Sequence, residues 1–195
     1  ARRLHLSCIG RRQLCKRPCP LCGWRHHGIA MTWRLLIMGV SGCGKSSVGG
    51  ALAVALGIPY CDGDDLHPED NVEKMRLGQP LTDADRWPWL DRVAQTLATK
   101  APLIIGCSAL KRSYRDRIRD GAGGSVTFVH LSGSREVIAD RMAARTGHYM
   151  PLSLLDSQFA ALEPPGPQEA ICVDIDQSLA QIVTEITLKL AGGSP

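Results

Sequence analysis

Five short apolar runs punctuate the chain at 34–39 ("RLLIMG"), 58–63 ("IPYCDG"), 102–108 ("PLIIGCS"), 125–131 ("SVTFVHL") and 171–175 ("ICVDI"). Their length and β-rich content predict strands. The third is apolar throughout, as a strand covered on both faces should be. Between them lie longer stretches of helical character: "KSSVGGALAVALG", "NVEKMRLG", "QPLTDADRWPWLDRVAQTLATK", "LKRSYRDRIRD", "REVIADRMAARTG" and "LSLLDSQFAALE", with "SLAQIVTEITLKLAGG" closing the chain. Gly57 and Gly78 are expected to stop the first two helices. Asp85 is expected to cap the third, with Pro88 inside its first turn, where a missing N–H costs little. Strands alternating with helices imply an α/β domain, a parallel sheet wrapped by helices. There is no repeat and no internal linker.

The length of 195 residues suits one domain, or one domain with a tail. The net charge of +4 is unevenly spread. Residues 1–34 carry eight Lys/Arg and no acid, leaving 15 basic against 19 acidic residues in the remainder. A mildly acidic body does not argue for nucleic acid. The leader's "CKRPCPLCGWRHH" has one C-x-x-C (Cys19, Cys22), but the histidines follow too closely for a zinc finger. Its pattern is not cleanly amphipathic and is poor in Ser, unlike a transit peptide. Residues 1–30 are read as an over-extended start or a disordered tail, and 31–195 as the functional domain. Cys43, Cys61, Cys107 and Cys172 are scattered singly, which suits thiols in the reducing cytoplasm better than a disulfide frame. No apolar run approaches a membrane span.

Gly39-Val40-Ser41-Gly42-Cys43-Gly44-Lys45-Ser46 fits G-x-x-x-x-G-K-[ST], with a strand before it and a helix after it. The glycines let N–H groups turn inward around an anion, and the following helix directs its positive end to the same place. Lys45 is expected on the β- and γ-phosphates of a nucleotide and the Ser46 hydroxyl on Mg²⁺, with Ser47 extending the motif. The Cys43 thiol occupies a variable position and is read as incidental.

Asp62 and Asp64 fall at the carboxyl end of the second strand, where open α/β sheets bind ligands. Two residues apart on a strand, both are expected to face the loop. Alone they would repel a polyphosphate; Mg²⁺ between them reverses that sign. One can then hold a metal-bound water, and the other can take a proton from an attacking hydroxyl, as a small-molecule kinase requires. Asp65 and Glu69 are left as cap or surface groups. Lys111, Arg112, Arg115 and Arg119 follow the third strand, and Arg141 and Arg145 share a helix face; together such groups can clamp an anionic substrate.

The stretches "GVSGCGKSS", "DGDDLHPEDNVEKMRLGQPLTDADRWPWL", "CSALKRSYRDRIR", "RTGHYMP" and "VDIDQ" closely resemble gluconokinases of the small phosphate-loop type, relatives of shikimate and adenylate kinases. The resemblance runs from about Arg34 to Leu190. It implies a five-stranded parallel sheet in the order 2-3-1-4-5 and ATP-dependent phosphorylation of D-gluconate at its 6-hydroxyl. It further implies Asp64 as the base, Asp62 assisting Mg²⁺, and a lid from Arg141 to Pro151 whose Arg141 and Arg145 reach the phosphates. Asp176 and Gln177 would lie beside the adenine, and Arg115, Lys74, Arg86 and His67 around gluconate. A homodimer would be ordinary for such a protein. A shikimate kinase is the alternative enzyme, though these typically carry a Gly-Gly-Gly run where this chain reads "CSALKRS". A nucleotide-binding module using the basic leader as its contact is the non-enzymatic alternative.

Overall fold

The computed structural model of the protein describes residues 33–143 and 152–192. The chain separates into a unit of Ala1–Met31 and one of Thr32–Pro195. The basic leader and the "TGHYMP" segment lie outside the described residues, and so does Arg145.

The five apolar runs form strands β1 (Arg34–Met38), β2 (Tyr60–Asp62), β3 (Leu103–Gly106), β4 (Thr127–Ser132) and β5 (Ala170–Asp174). They make one sheet in the order β2-β3-β1-β4-β5, every neighbouring pair parallel. Among the described residues seven helices connect and cover them: α1 (Lys45–Leu56), α2 (Glu69–Arg76), α3 (Asp83–Lys100), α4 (Arg112–Gly121), α5 (Arg135–Ala143), α6 (Leu152–Ala161) and α7 (Leu179–Ala191).

Strand alternation divides the core in two. Leu35 and Ile37 point to the face where Val48 and Leu52 of α1 meet Ile182 and Ile186 of α7. Leu36 and Met38 point the other way, toward Trp89, Leu90 and Val93 of α3 and Ile118 of α4. A strand so enclosed must be apolar on both faces, and Leu35 to Met38 are fully buried.

Two local expectations are corrected. The cap of α3 is Thr82, whose hydroxyl accepts from the Asp85 N–H at 3.3 Å. The Asp85 carboxylate accepts from the Thr82 N–H at 2.9 Å, so Asp85 is the third-position partner of a capping box. Pro88 consequently falls one turn further in. Asp64 is also not on the second strand: Gly63–Leu66 form a 3-10 turn with Asp62 as its cap.

One close approach constrains the sheet edge beside the phosphate loop. The Tyr60 ring crosses α1 at Gly49, where an added Cβ would lie 2.2 Å from the ring. Gly49→Ala is expected to destabilise the protein by about 1–3 kcal/mol, lowering Tm by roughly 3–10 °C in thermal unfolding. An unchanged Tm would mean that Tyr60 does not sit there.

Candidate active site

The carboxyl ends of β1, β2 and β3 converge on the loop 39–46. The Gly39 N–H donates to the Ser108 carbonyl at 3.3 Å, fastening the loop to the chain beyond β3. Gly44 adopts φ 100°, a left-handed conformation that favours glycine, and it caps α1. Helix α1 therefore begins at Lys45 with its N-terminus at the loop. The Lys45 ammonium donates to the carbonyls of Gly39 and Val40, both at 3.1 Å. Ser46 and Ser47 are exposed on the first turn of α1. The Cys43 thiol is buried in the core, and burial raises its pKa.

Asp62 is bound at both oxygens. Its Oδ2 accepts from the Ser46 hydroxyl at 2.9 Å and from the Tyr60 hydroxyl at 3.3 Å, and its Oδ1 accepts from the Asp64 N–H at 3.2 Å. Burial and the neighbouring carboxylates push the Tyr60 hydroxyl up to about 12, so it remains a donor. Asp64 lies in the 3-10 turn, not on the strand, so strand alternation is not what orients it. It nevertheless stands within electrostatic reach of Asp62 and Lys45. Burial raises its pKa most, the Asp62 charge raises it further, and Lys45 opposes both.

A second group gathers around the start of α3. The Trp89 indole donates to the Gly63 carbonyl at 2.7 Å, closing the 3-10 turn. His67 stacks on Trp89 with ring centroids 4.2 Å apart. Burial, with the Arg86 charge, lowers its pKa to about 4, so it is neutral at physiological pH. The Asn71 amide lies 3.3 Å from His67 Nδ1 and donates to the Asp85 carbonyl at 2.7 Å. Lys74 reaches the Asp85 carboxylate at 2.6 Å. Arg86 stands 3.8 Å from the Asp83 carboxylate and over the Tyr114 ring. Asp83 also accepts from Lys111 through both oxygens and from the Tyr114 hydroxyl. The structure thus brings His67, Lys74 and Arg86 to one region. Asp83 and Tyr114 also belong there, as Tyr60 belongs to Asp62, and no motif singled them out; the "TDAD" run carried only a capping signal.

Arg115 does not join them. It is 1% exposed and forms an ion pair with Glu169 at 2.6 Å. Its Nη1 donates to the carbonyls of Ala109, Leu110 and Glu163, and its Nη2 to the other Glu169 oxygen. Every guanidinium nitrogen is committed internally, so the expectation that it holds gluconate is corrected: it is a buried tie between α4 and the chain before β5. Arg141 donates to the carbonyls of Ile175 and Gln177, and its guanidinium lies 4.0 Å from where a Gly44 Cβ would stand. It therefore lies between the phosphate loop and the turn after β5. In that turn the Asp176 N–H donates to Asp174, and the Gln177 amide donates to Glu185.

Residues 35–165 match the family described as an AAA domain. The chain is 50% identical to the gluconokinase of Gluconobacter oxydans over 70% of this chain and 79% of that protein. It is 44% identical to a probable gluconokinase of Mus musculus over 78% of this chain and 94% of that one. Among solved structures, a gluconokinase from Sinorhizobium meliloti superposes with a TM-score of 0.78 at 51% identity, covering 84% of this chain and 94% of that one. The shikimate kinase of Aquifex aeolicus, at 22% identity, has a TM-score of 0.56 over 82% of this chain and 96% of its own, and shares the fold.

Proposed function

Because this chain belongs to the gluconokinase family, we propose that it transfers the terminal phosphoryl group of ATP to the 6-hydroxyl of D-gluconate, giving 6-phosphogluconate and ADP. The observation that carries this is a phosphate loop holding Lys45, with the Asp62 carboxylate at its mouth bonded to the Ser46 hydroxyl and to the Asp64 N–H.

Asp64 accepts the proton of the attacking hydroxyl. Its raised pKa brings it closer to the working pH, which favours proton transfer in the transition state. Lys45 sits inside the loop, its charge placed to stabilise the negative charge of the migrating phosphoryl group. The Ser46 hydroxyl and the Asp62 carboxylate, hard oxygen donors already 2.9 Å apart, suit Mg²⁺. Among the described residues no group of three or more His, Cys, Asp or Glu could hold a metal. Its remaining ligands would be phosphate and water oxygens, as Mg²⁺ prefers. When bound, Mg²⁺ neutralises phosphate charge that the two aspartates would otherwise repel.

Neutral His67 serves the polyol chain of gluconate, and Lys74 and Arg86 its carboxylate. Arg141, with Arg145, belongs to the phosphate side, and Asp176 and Gln177 to the adenine side. No helix of the described residues is long and apolar enough to cross a membrane. The proposal sets the enzyme in the cytoplasm, supported by the thiols at Cys43, Cys107 and Cys172, and as a homodimer by family resemblance.

ADP release measured with D-gluconate, shikimate, AMP or no acceptor tests the reading directly. Turnover is expected with gluconate alone. Turnover with shikimate or AMP would keep the kinase and overturn its substrate.

A further inference from the structure

Helix α6 presents Leu155, Gln158 and Phe159 at helical spacing, and Leu162 follows its last residue. Leu155 is fully buried, and Phe159 and Leu162 pack against the same core. Gln158 is the polar member of this inward stripe. A polar side chain in such a place needs a partner. Its carboxamide Oε1 accepts from the Ser41 N–H of the phosphate loop at 2.6 Å, across 117 residues of sequence.

Helix α6 is itself tied down. Arg135 of α5 pairs with Asp156 at 2.6 Å. Just beyond α6, the Glu163 carboxylate accepts from the Arg112 N–H at 2.6 Å, and the Glu163 N–H donates to the Leu110 carbonyl at 3.0 Å. The carboxamide is therefore held from both sides of its own helix. Within the loop, the Gly39 N–H is fastened to Ser108 and the Cys43 N–H to Val40. The Ser41 peptide lies between those two, and its N–H turns outward to α6.

We propose that Gln158 is a positioning residue for nucleotide binding: its carboxamide oxygen fixes the Ser41 peptide, so that the shape of the phosphate loop depends on helix α6. The inference rests on nucleotide binding at this loop, as proposed above, but not on the identity of the phosphoryl acceptor. A loop released at Ser41 samples more conformations, and nucleotide must then order it at the expense of affinity.

The test uses the full chain without gluconate. ADP affinity is measured by titration calorimetry for the parent, Gln158→Met and Gln158→Leu, which keep the apolar packing but remove the acceptor. Each variant is expected to bind ADP about 3–10-fold more weakly, the range that loss of one hydrogen bond supports, with kcat at saturating ATP changed less than KM for ATP. Amide exchange in the nucleotide-free parent should show Ser41 protected, and this protection needs no variant to fold. ADP affinity within twofold of the parent, or a Ser41 amide exchanging as an unprotected loop amide, would overturn the assignment. A parent that does not bind ADP at all would instead defeat the kinase reading.

Discussion

Asp64→Asn is expected to lower kcat by about 10²–10⁴-fold, the usual contribution of a positioned general base. Asn keeps the size and polarity of Asp but cannot take the proton. The pH dependence supplies a second signature. Burial and the Asp62 charge raise the Asp64 pKa above the ordinary carboxylate value, and the active form is the deprotonated one. The acid limb of kcat/KM should therefore lie above the usual carboxylate range, with rate rising as pH rises through it, and that limb should vanish in the Asn variant. Stability should move the other way. A carboxyl whose folded pKa exceeds its unfolded value loses stability as pH rises from the unfolded value through the folded one. Above that window the Asn variant, which carries no charge for Asp62 to repel, should melt no lower than the parent. A variant retaining more than about a tenth of kcat would remove Asp64 from the role of base.

Glu169→Gln should leave catalysis nearly intact and the fold badly weakened. It strips the carboxylate from a guanidinium that is 1% exposed, and leaving a buried charge without its partner costs about 3–5 kcal/mol. Glu169 keeps 20% of its side chain exposed, which allows some water to compensate, so the lower end, about 3 kcal/mol, is expected. For a chain of this size that is a fall of roughly 6–12 °C in Tm. The KM for gluconate at a temperature where the variant is folded should stay within about twofold, well under the tenfold that corresponds to 1.4 kcal/mol. A large rise in KM without loss of Tm would return the Arg115–Glu169 pair to the substrate site.

What could be read from the chain alone, and what could not, divides by the range of the interactions. The strand runs, the phosphate loop and the pairing of Asp62 with the nucleotide site are local or nearly so. A strand buried on both faces must be apolar, a loop that binds phosphate must be rich in glycine, and a carboxylate two residues before another at a strand end is visible without a fold. The sheet order followed from family resemblance, and the structure has it. Local signals were less decisive where two residues could play the same part. Thr82 and Asp85 are both competent caps, and only the extended backbone of Thr82 decides between them.

Side-chain facing was legible only where a motif spoke for it. Helix α4 carries Arg112, Arg115, Arg117 and Arg119, chemically equivalent in sequence. Which of them enters the interior depends on the position of Glu169, 54 residues away from Arg115. The Tyr60 hydroxyl on Asp62 needs the clearance at Gly49 and Gly106, which belong to other elements. The Ser41–Gln158 contact joins the phosphate loop to helix α6 across 117 residues of sequence. Periodicity and motif spacing therefore determined the strands and the phosphate loop, and resemblance the order of the sheet. The partners of its charged and amide side chains were decided only in the tertiary structure, because desolvation and hydrogen-bond satisfaction depend on what folding brings alongside.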